Sequence, residues 1–86
     1  MITAELIGNV WATRKADRLQ GYKLMLAEVI GSTQAGQRMV VVDQIGAGIG
    51  DRVLVVCGSS ARRMVGNDDV PIDAAVIGII DGDCII

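Results

Sequence analysis

Valine and isoleucine dominate the apolar part of this sequence, and that preference limits the secondary structure it can form. Twenty-two of the 86 residues are Val or Ile, whereas five are Leu and none is Phe. A branched Cβ restricts χ1 and suits the pleated surface of a strand better than the surface of a helix. Eleven glycines interrupt the apolar runs. The sequence therefore predicts a fold made mostly of short β-strands.

Apolar residues recur at every second position along much of the chain, which is the period of a strand with one buried face. The sequence predicts strands over 2–11, 22–30, 38–43, 52–57 and 74–80, with polar loops over 12–20 and 65–70. The turn over 31–37 joins the second and third strands into a hairpin. A helical turn begins near Ser59 or Ser60, either of which can cap it. The predicted fold class is all-β: a small five-stranded OB-like β-barrel, with one short helix between the fourth and fifth strands, in a single domain over 1–86.

The residues that usually carry catalysis and metal binding are scarce. The chain has no histidine, the commonest general base and transition-metal ligand. Cys57 lies in a Val-rich run and is interpreted as a small hydrophobe, and Cys84 has no partner at a metal-binding spacing. The aspartates over 68–83 lack the pattern of a calcium loop and are interpreted as solvated turn residues. We predict no catalytic site, no cofactor and no metal.

Glycine occupies every second position over 46–50, which excludes a regular strand interior there. The run does not match the dinucleotide-binding fingerprint, because Asp51 follows it and no long helix comes after, and it lacks the Gly-Lys-Ser/Thr of a phosphate-binding loop. It indicates a tight loop that needs positive φ or lets another backbone approach. After the helix start, Arg62 and Arg63 could bind an anion, but we favour ion pairs with Asp43 or Asp73 of the same or a neighbouring subunit.

Half of the residues, 51%, are apolar, which is more than a domain of this size can bury alone. No apolar run reaches the ~18–20 residues of a membrane span, and no signal peptide is predicted, so we expect no membrane partner. The net charge of −2 and the two aromatic residues do not suit nucleic acid. An OB-like module that binds single-stranded nucleic acid or a small ligand remains the alternative. The apolar surplus predicts a homo-oligomer.

Five segments occur in an order and at separations that identify a family. They are Gly8–Lys15, Leu19–Leu24, Asp43–Asp51 followed by Val53 and Leu54, Gly58–Arg62, and Pro71–Asp81. Together they resemble the bacterial microcompartment vertex proteins of the EutN/CcmL family. The resemblance implies an OB-like barrel that forms cyclic pentamers and caps the vertices of a polyhedral shell in the bacterial cytoplasm. It implies hexameric shell proteins as partners, and neither a catalytic step nor a cofactor.

The resemblance and the apolar surplus together imply which residues meet a neighbouring subunit. Strand faces that include Val53 are expected to be shared between subunits. The candidate interface residues are Ile7, Asp43, Gly46, Ala47, Gly48, Ile49, Arg62 and Asp73. Gly58, Ser59 and Ser60 are expected near the five-fold axis, around a narrow central opening.

Overall fold

Five strands form the framework of the protein. The computed structural model describes residues 1–11, 15–66 and 71–82. The strands are β1 (Ile2–Asn9), β2 (Lys23–Val29), β3 (Arg38–Asp43), β4 (Arg52–Cys57) and β5 (Ala74–Ile79). Helix α1 (Ser59–Val65) lies between β4 and β5, and a 3₁₀ turn (Asp17–Leu19) precedes β2. The predicted all-β class, the five strands and the position of the helix are confirmed.

The strands close into a barrel in the order β1-β2-β3-β5-β4. Neighbouring strands are antiparallel, except that β3 and β5 run parallel through two residue pairs, Val42 with Ala75 and Asp43 with Val76. The ladder register shifts between Leu6 and Gly8 and again on β4. Such irregularities bend a strand and increase its twist, as closure of so small a barrel requires.

Side chains that point inward along the strands fill the barrel. The inner core consists of Ala4, Leu6, Met25, Ala27, Val41, Ala47, Val53, Val55, Ala74 and Val76. Removing a Val or Leu side chain of this kind from water stabilises the fold by about 1.5–3 kcal/mol. Val53 is 0% exposed within this core. The expectation that neighbouring subunits share Val53 is therefore wrong, because the alternation of β4 turns this side chain into its own barrel.

A second apolar cluster covers one outer side of the barrel. Its buried members are Val42, Ala61, Ile72 and Ala75, and half-buried Leu19, Tyr22, Leu24, Val56 and Val65 pack against them. The 3₁₀ turn and α1 supply three of these side chains, Leu19, Ala61 and Val65. The turn lies within the segment predicted to be a polar loop, where Leu19 provides the apolar contact that the sequence pattern did not indicate.

Helix α1 begins differently from the sequence prediction. Its N-cap is Gly58, with φ of 68°, and no side chain caps the helix. The prediction that Ser59 or Ser60 caps it is therefore wrong. The helix ends at Val65, and its C-cap is Gly66, whose amide donates to the carbonyls of Arg62 and Arg63. This pair of bonds satisfies carbonyls that the last turn of a helix leaves without partners.

Other sequence predictions differ in detail. Strands β1, β2 and β5 are one or two residues shorter at their ends than predicted. Cys57 is exposed rather than buried, because it is the last residue of β4 and lies at the rim of the barrel. The interpretations of residues 67–70, of Asp83 and of Cys84 fall outside the described residues.

Candidate functional site

The segment from residue 44 to residue 51, here called the glycine loop, joins β3 to β4 and exposes apolar side chains. Ile45 is 43% exposed and Ile49 is 61% exposed. Ala47, between them, is 1% exposed and belongs to the inner core. The loop is therefore anchored inward at its centre and presents an isoleucine on each side of that anchor.

The three glycines of this loop differ in whether their backbone conformation favours glycine. Gly46 has φ of 101° and Gly50 has φ of 92°, a region that residues with a Cβ avoid. This confirms the predicted need for positive φ. Gly48 lies outside that region, and its amide donates to Asp51 Oδ2 at 2.8 Å. A Cβ built on Gly48 would meet only that oxygen, at 4.0 Å. Within the subunit, neither the backbone conformation nor the room for a Cβ requires glycine at position 48.

A buried carboxylate shapes the start of the glycine loop. Asp43 Oδ1 accepts hydrogen bonds from the amides of Ile45, at 2.9 Å, and Gly46, at 3.2 Å. Asp43 Oδ2 accepts from Lys23 Nζ at 3.1 Å, and the same ammonium group donates to the carbonyl of Ala47. The carboxylate is 0% exposed and the lysine side chain 46% exposed. Lys23 was not among the predicted site residues, because its position opposite Asp43 depends on the register of the β2–β3 hairpin.

The structure changes the roles of two predicted interface residues. Asp43 is 4% exposed and Ala47 is 1% exposed, so both lie inside the subunit. They can influence a neighbouring chain only through the shape of the glycine loop. Each is buried for a local reason. The Asp43 carboxylate is buried because it accepts hydrogen bonds from two loop amides, and Ala47 is buried because its side chain is small and apolar.

The predicted ion pairs of Arg62 do not form within the subunit. Its Nη1 donates to the carbonyl of Ile72 at 3.3 Å, and the Asp43 carboxylate is bound to Lys23. Asp73 is exposed, and its carbonyl accepts a hydrogen bond from the amide of Gly58 at 2.7 Å. The prediction of an ion pair between Arg62 and either aspartate of the same subunit is therefore wrong. An ion pair with an aspartate of a neighbouring subunit stays a prediction.

The remaining candidates lie on the surface. Gly58, Ser59 and Ser60 are all exposed at the junction of β4 and α1, directly after exposed Cys57. Ile7, near the end of β1, is half-buried. The Gly58–Asp73 hydrogen bond brings the segment predicted at the central opening next to a residue predicted at the interface.

Two cavities among the described residues are candidates for a ligand site. The first, of about 180 Å³, is lined by Leu19, Leu24, Val40–Val42 and Pro71–Ala74. The second, of about 220 Å³, is lined by Asn9, Val10, Trp11, Lys15 and Tyr22–Leu24. Both are smaller than the ~300–1,000 Å³ typical of small-molecule sites.

Across 1–11, 15–66 and 71–82, no group of three or more Cys, Asp or Glu side chains is arranged to hold a metal ion. In the same part of the chain, no helix has the length and apolar character needed to cross a bilayer.

Comparison with known proteins covers nearly the whole chain. The profile of the EutN_CcmL family, described as ethanolamine utilisation protein EutN/carboxysome, matches residues 1–81. The shell vertex protein GrpN of Rhodospirillum rubrum (strain F11) is 46% identical over 88 residues, which cover 94% of this chain and 93% of GrpN. The solved structure of the pentameric GrpN shell protein from Rhodospirillum rubrum superposes with a TM-score of 0.83 at 40% identity, covering all of both chains. A pentameric shell protein from the RMM microcompartment superposes with a TM-score of 0.86 at 36% identity, covering 100% of this chain and 96% of its own.

Proposed function

The chain belongs to the EutN/CcmL family, and from that membership we propose that it is a structural vertex protein of a bacterial microcompartment shell. Five copies form a closed ring, and the ring occupies a corner of the polyhedral shell. The observation that carries this proposal is the full-length structural match to the pentameric GrpN protein. The protein acts by assembly and not by catalysis, and its place in the cell is the shell itself.

The geometry of a closed shell explains why a ring of five subunits is needed. A flat hexagonal layer cannot close into a polyhedron, because closure needs points of five-fold symmetry. A head-to-tail interface that closes after five copies supplies such a point. Hexameric shell proteins are therefore the proposed partners at the outer rim of the ring, whereas the sides of each subunit bind further copies of this chain.

The apolar surface of the subunit supports self-association. Ile49, 61% exposed, and Ile45, 43% exposed, lie on one loop whose backbone is fixed by hydrogen bonds. We assign Ile7, Gly46, Gly48, Ile49, Arg62 and Asp73 to the subunit interface and Gly58–Ser60 to the central opening. Asp43 and Ala47 contribute from inside, by shaping the loop.

Co-expression with hexameric shell proteins tests the proposed function. With this chain present, closed polyhedral particles are expected by electron microscopy. Without it, the hexamers form open sheets or tubes, because no component provides five-fold corners. If closed particles with filled corners form equally well in its absence, the vertex role is wrong.

The alternative, an OB-like binding module, is favoured by one feature. The second cavity brings together the sole tryptophan, the sole tyrosine and both lysines of the chain, Trp11, Tyr22, Lys15 and Lys23. Aromatic faces and positive charge are what single-stranded nucleic acid needs. Titration with an oligonucleotide at low salt, followed by Trp11 fluorescence, decides the point: saturable binding supports the module, and an unchanged signal removes it.

A further inference from the structure

The glycine loop is fixed at both ends despite its three glycines. At the β3 end, Asp43 Oδ1 accepts hydrogen bonds from the amides of Ile45 and Gly46. At the β4 end, the amide of Gly50 donates to the carbonyl of Leu6 on β1 at 2.8 Å. Glycine gains more conformational freedom in a free chain than any other residue, so these bonds restrict a segment that would otherwise sample many shapes.

Lys23 holds the centre of the same loop from a different strand. Its ammonium group binds Asp43 Oδ2 at 3.1 Å and also donates to the carbonyl of Ala47. The carboxylate is 0% exposed, so with the lysine in place it makes its contacts within the protein and not with bulk water. One side chain of β2 thereby connects β3 to the middle of the loop, where Ala47 enters the inner core.

This restraint determines what the loop presents outward. Ala47 points inward, and Ile45 and Ile49 on either side of it are 43% and 61% exposed. An apolar ridge that is already ordered loses little conformational entropy when a partner covers it, so it binds more tightly than a mobile one. A loose loop would have to be ordered at each subunit contact of a ring.

We propose that Lys23 is a positioning residue for assembly: bound to Asp43 and to the carbonyl of Ala47, it holds the glycine loop in the shape that a second copy of this chain recognises. The inference rests on the proposed function, because the second copy is the next subunit of the ring. Lys23 acts through the loop, so its loss impairs assembly without dismantling the barrel.

A double variant, Lys23→Met with Asp43→Asn, tests this proposal without leaving a buried charge unpaired. Asn keeps an oxygen for the two loop amides, and Met keeps the apolar stem. The matched control is Glu28→Gln with Arg38→Met, which removes the exposed 3.5 Å ion pair between the same two strands. Circular dichroism verifies that both variants fold.

Native mass spectrometry over a dilution series supplies the main readout. The double variant is expected to need about tenfold more protein than wild type for half of its chains to be pentameric. Amide hydrogen exchange at Ile45 and Gly46 is expected to accelerate, whereas the control variant matches wild type in both measurements. Assembly of the double variant at the wild-type concentration would overturn the role of Lys23 and leave the vertex function standing. A wild-type chain that never forms pentamers would overturn the vertex function first.

Acetylation of wild-type protein gives a second test that does not depend on how a variant folds. The chain contains two lysines, Lys15 and Lys23. Dilute protein is acetylated to less than one group per chain, concentrated to allow assembly, and separated by size. Chains acetylated at Lys23 are expected to be depleted from the pentamer about tenfold relative to chains acetylated at Lys15. Equal incorporation of the two acetylated forms would contradict the proposal.

Discussion

Replacing Gly48 by valine separates the folding of the subunit from the assembly of the ring. Gly48 lies outside the positive-φ region, and a Cβ at this position meets only Asp51 Oδ2, at 4.0 Å. The free energy of unfolding of the isolated subunit is therefore expected to change by less than about 1 kcal/mol. On the outer side of the loop the situation differs. At the proposed interface, a neighbouring subunit lies close to the backbone of Gly48 and leaves no room for a larger side chain.

The effect on assembly is expected to be larger. With Gly48 at the subunit interface, as proposed, Gly48→Val would add three carbon atoms to each of the five subunit contacts, and overpacking of a closely fitted surface costs about 1–3 kcal/mol. Because about 1.4 kcal/mol corresponds to a factor of ten, each contact weakens about 5- to 150-fold. Gly48→Ala adds one carbon and is expected to give a smaller change in the same direction.

Two measurements on the same samples test this prediction. Native mass spectrometry over a dilution series gives the pentamer fraction, and thermal unfolding at a concentration where chains are monomeric gives the stability of the subunit. The melting temperature is expected to be nearly unchanged, whereas the pentamer is expected to dissociate at a much higher protein concentration than wild type. A Gly48→Val chain that remains pentameric at wild-type concentrations would place this glycine outside the interface.

Three further substitutions have distinct expected outcomes. Gly46→Ala places a Cβ on a residue with φ of 101° and is expected to destabilise the subunit by about 1–2 kcal/mol. Each kcal/mol lowers the melting temperature of the subunit by about 4–8 °C. An unchanged melting temperature would contradict the expected backbone strain. Leu6→Ala empties part of the inner core, where Leu6 is 0% exposed, and is expected to cost about 2–5 kcal/mol in urea unfolding; a cost near zero would contradict the core assignment. Ile49→Ser, at a side chain 61% exposed, is expected to change subunit stability by less than about 0.5 kcal/mol while reducing the pentamer fraction; wild-type assembly would exclude Ile49 from the interface.

The strands could be predicted because their physical signal is local. Alternation along β1 and β4 places residues such as Leu6 and Val55 on one face, and both are 0% exposed. A barrel was predicted from the number of short strands and is confirmed, but the pairing that closes it could not be predicted from local alternation. Closure depends on the parallel pairing of Val42 with Ala75, two residues far apart in sequence. Nothing in either strand alone specifies that pairing.

The glycine loop was identified from sequence, but its internal architecture was not. The pattern predicted positive φ, which Gly46 and Gly50 adopt, and could not show that Gly48 lacks it. Lys23 and Asp43 are 20 residues apart, and they meet only because the hairpin register sets them opposite each other. A turn of seven residues allows several registers, so the sequence did not indicate this pair.

Errors at the end of β4 share a different cause. Four apolar residues precede Cys57 in the strand, and that composition predicted burial. The strand ends at this residue, however, and Gly58 with φ of 68° turns the chain into α1. Whether a residue at the rim of the barrel is exposed depends on where the neighbouring strands end. The composition of a single strand gives no information about those ends.

The mass of the wild-type assembly tests the central claim most directly. Native mass spectrometry at micromolar concentration is expected to give one dominant species of about 45 kDa, five times the 9.0 kDa subunit. A closed ring leaves few intermediate species, because each missing subunit exposes two unfilled contacts. A stable monomer of 9.0 kDa, or a dimer, at the same concentration would contradict the vertex function.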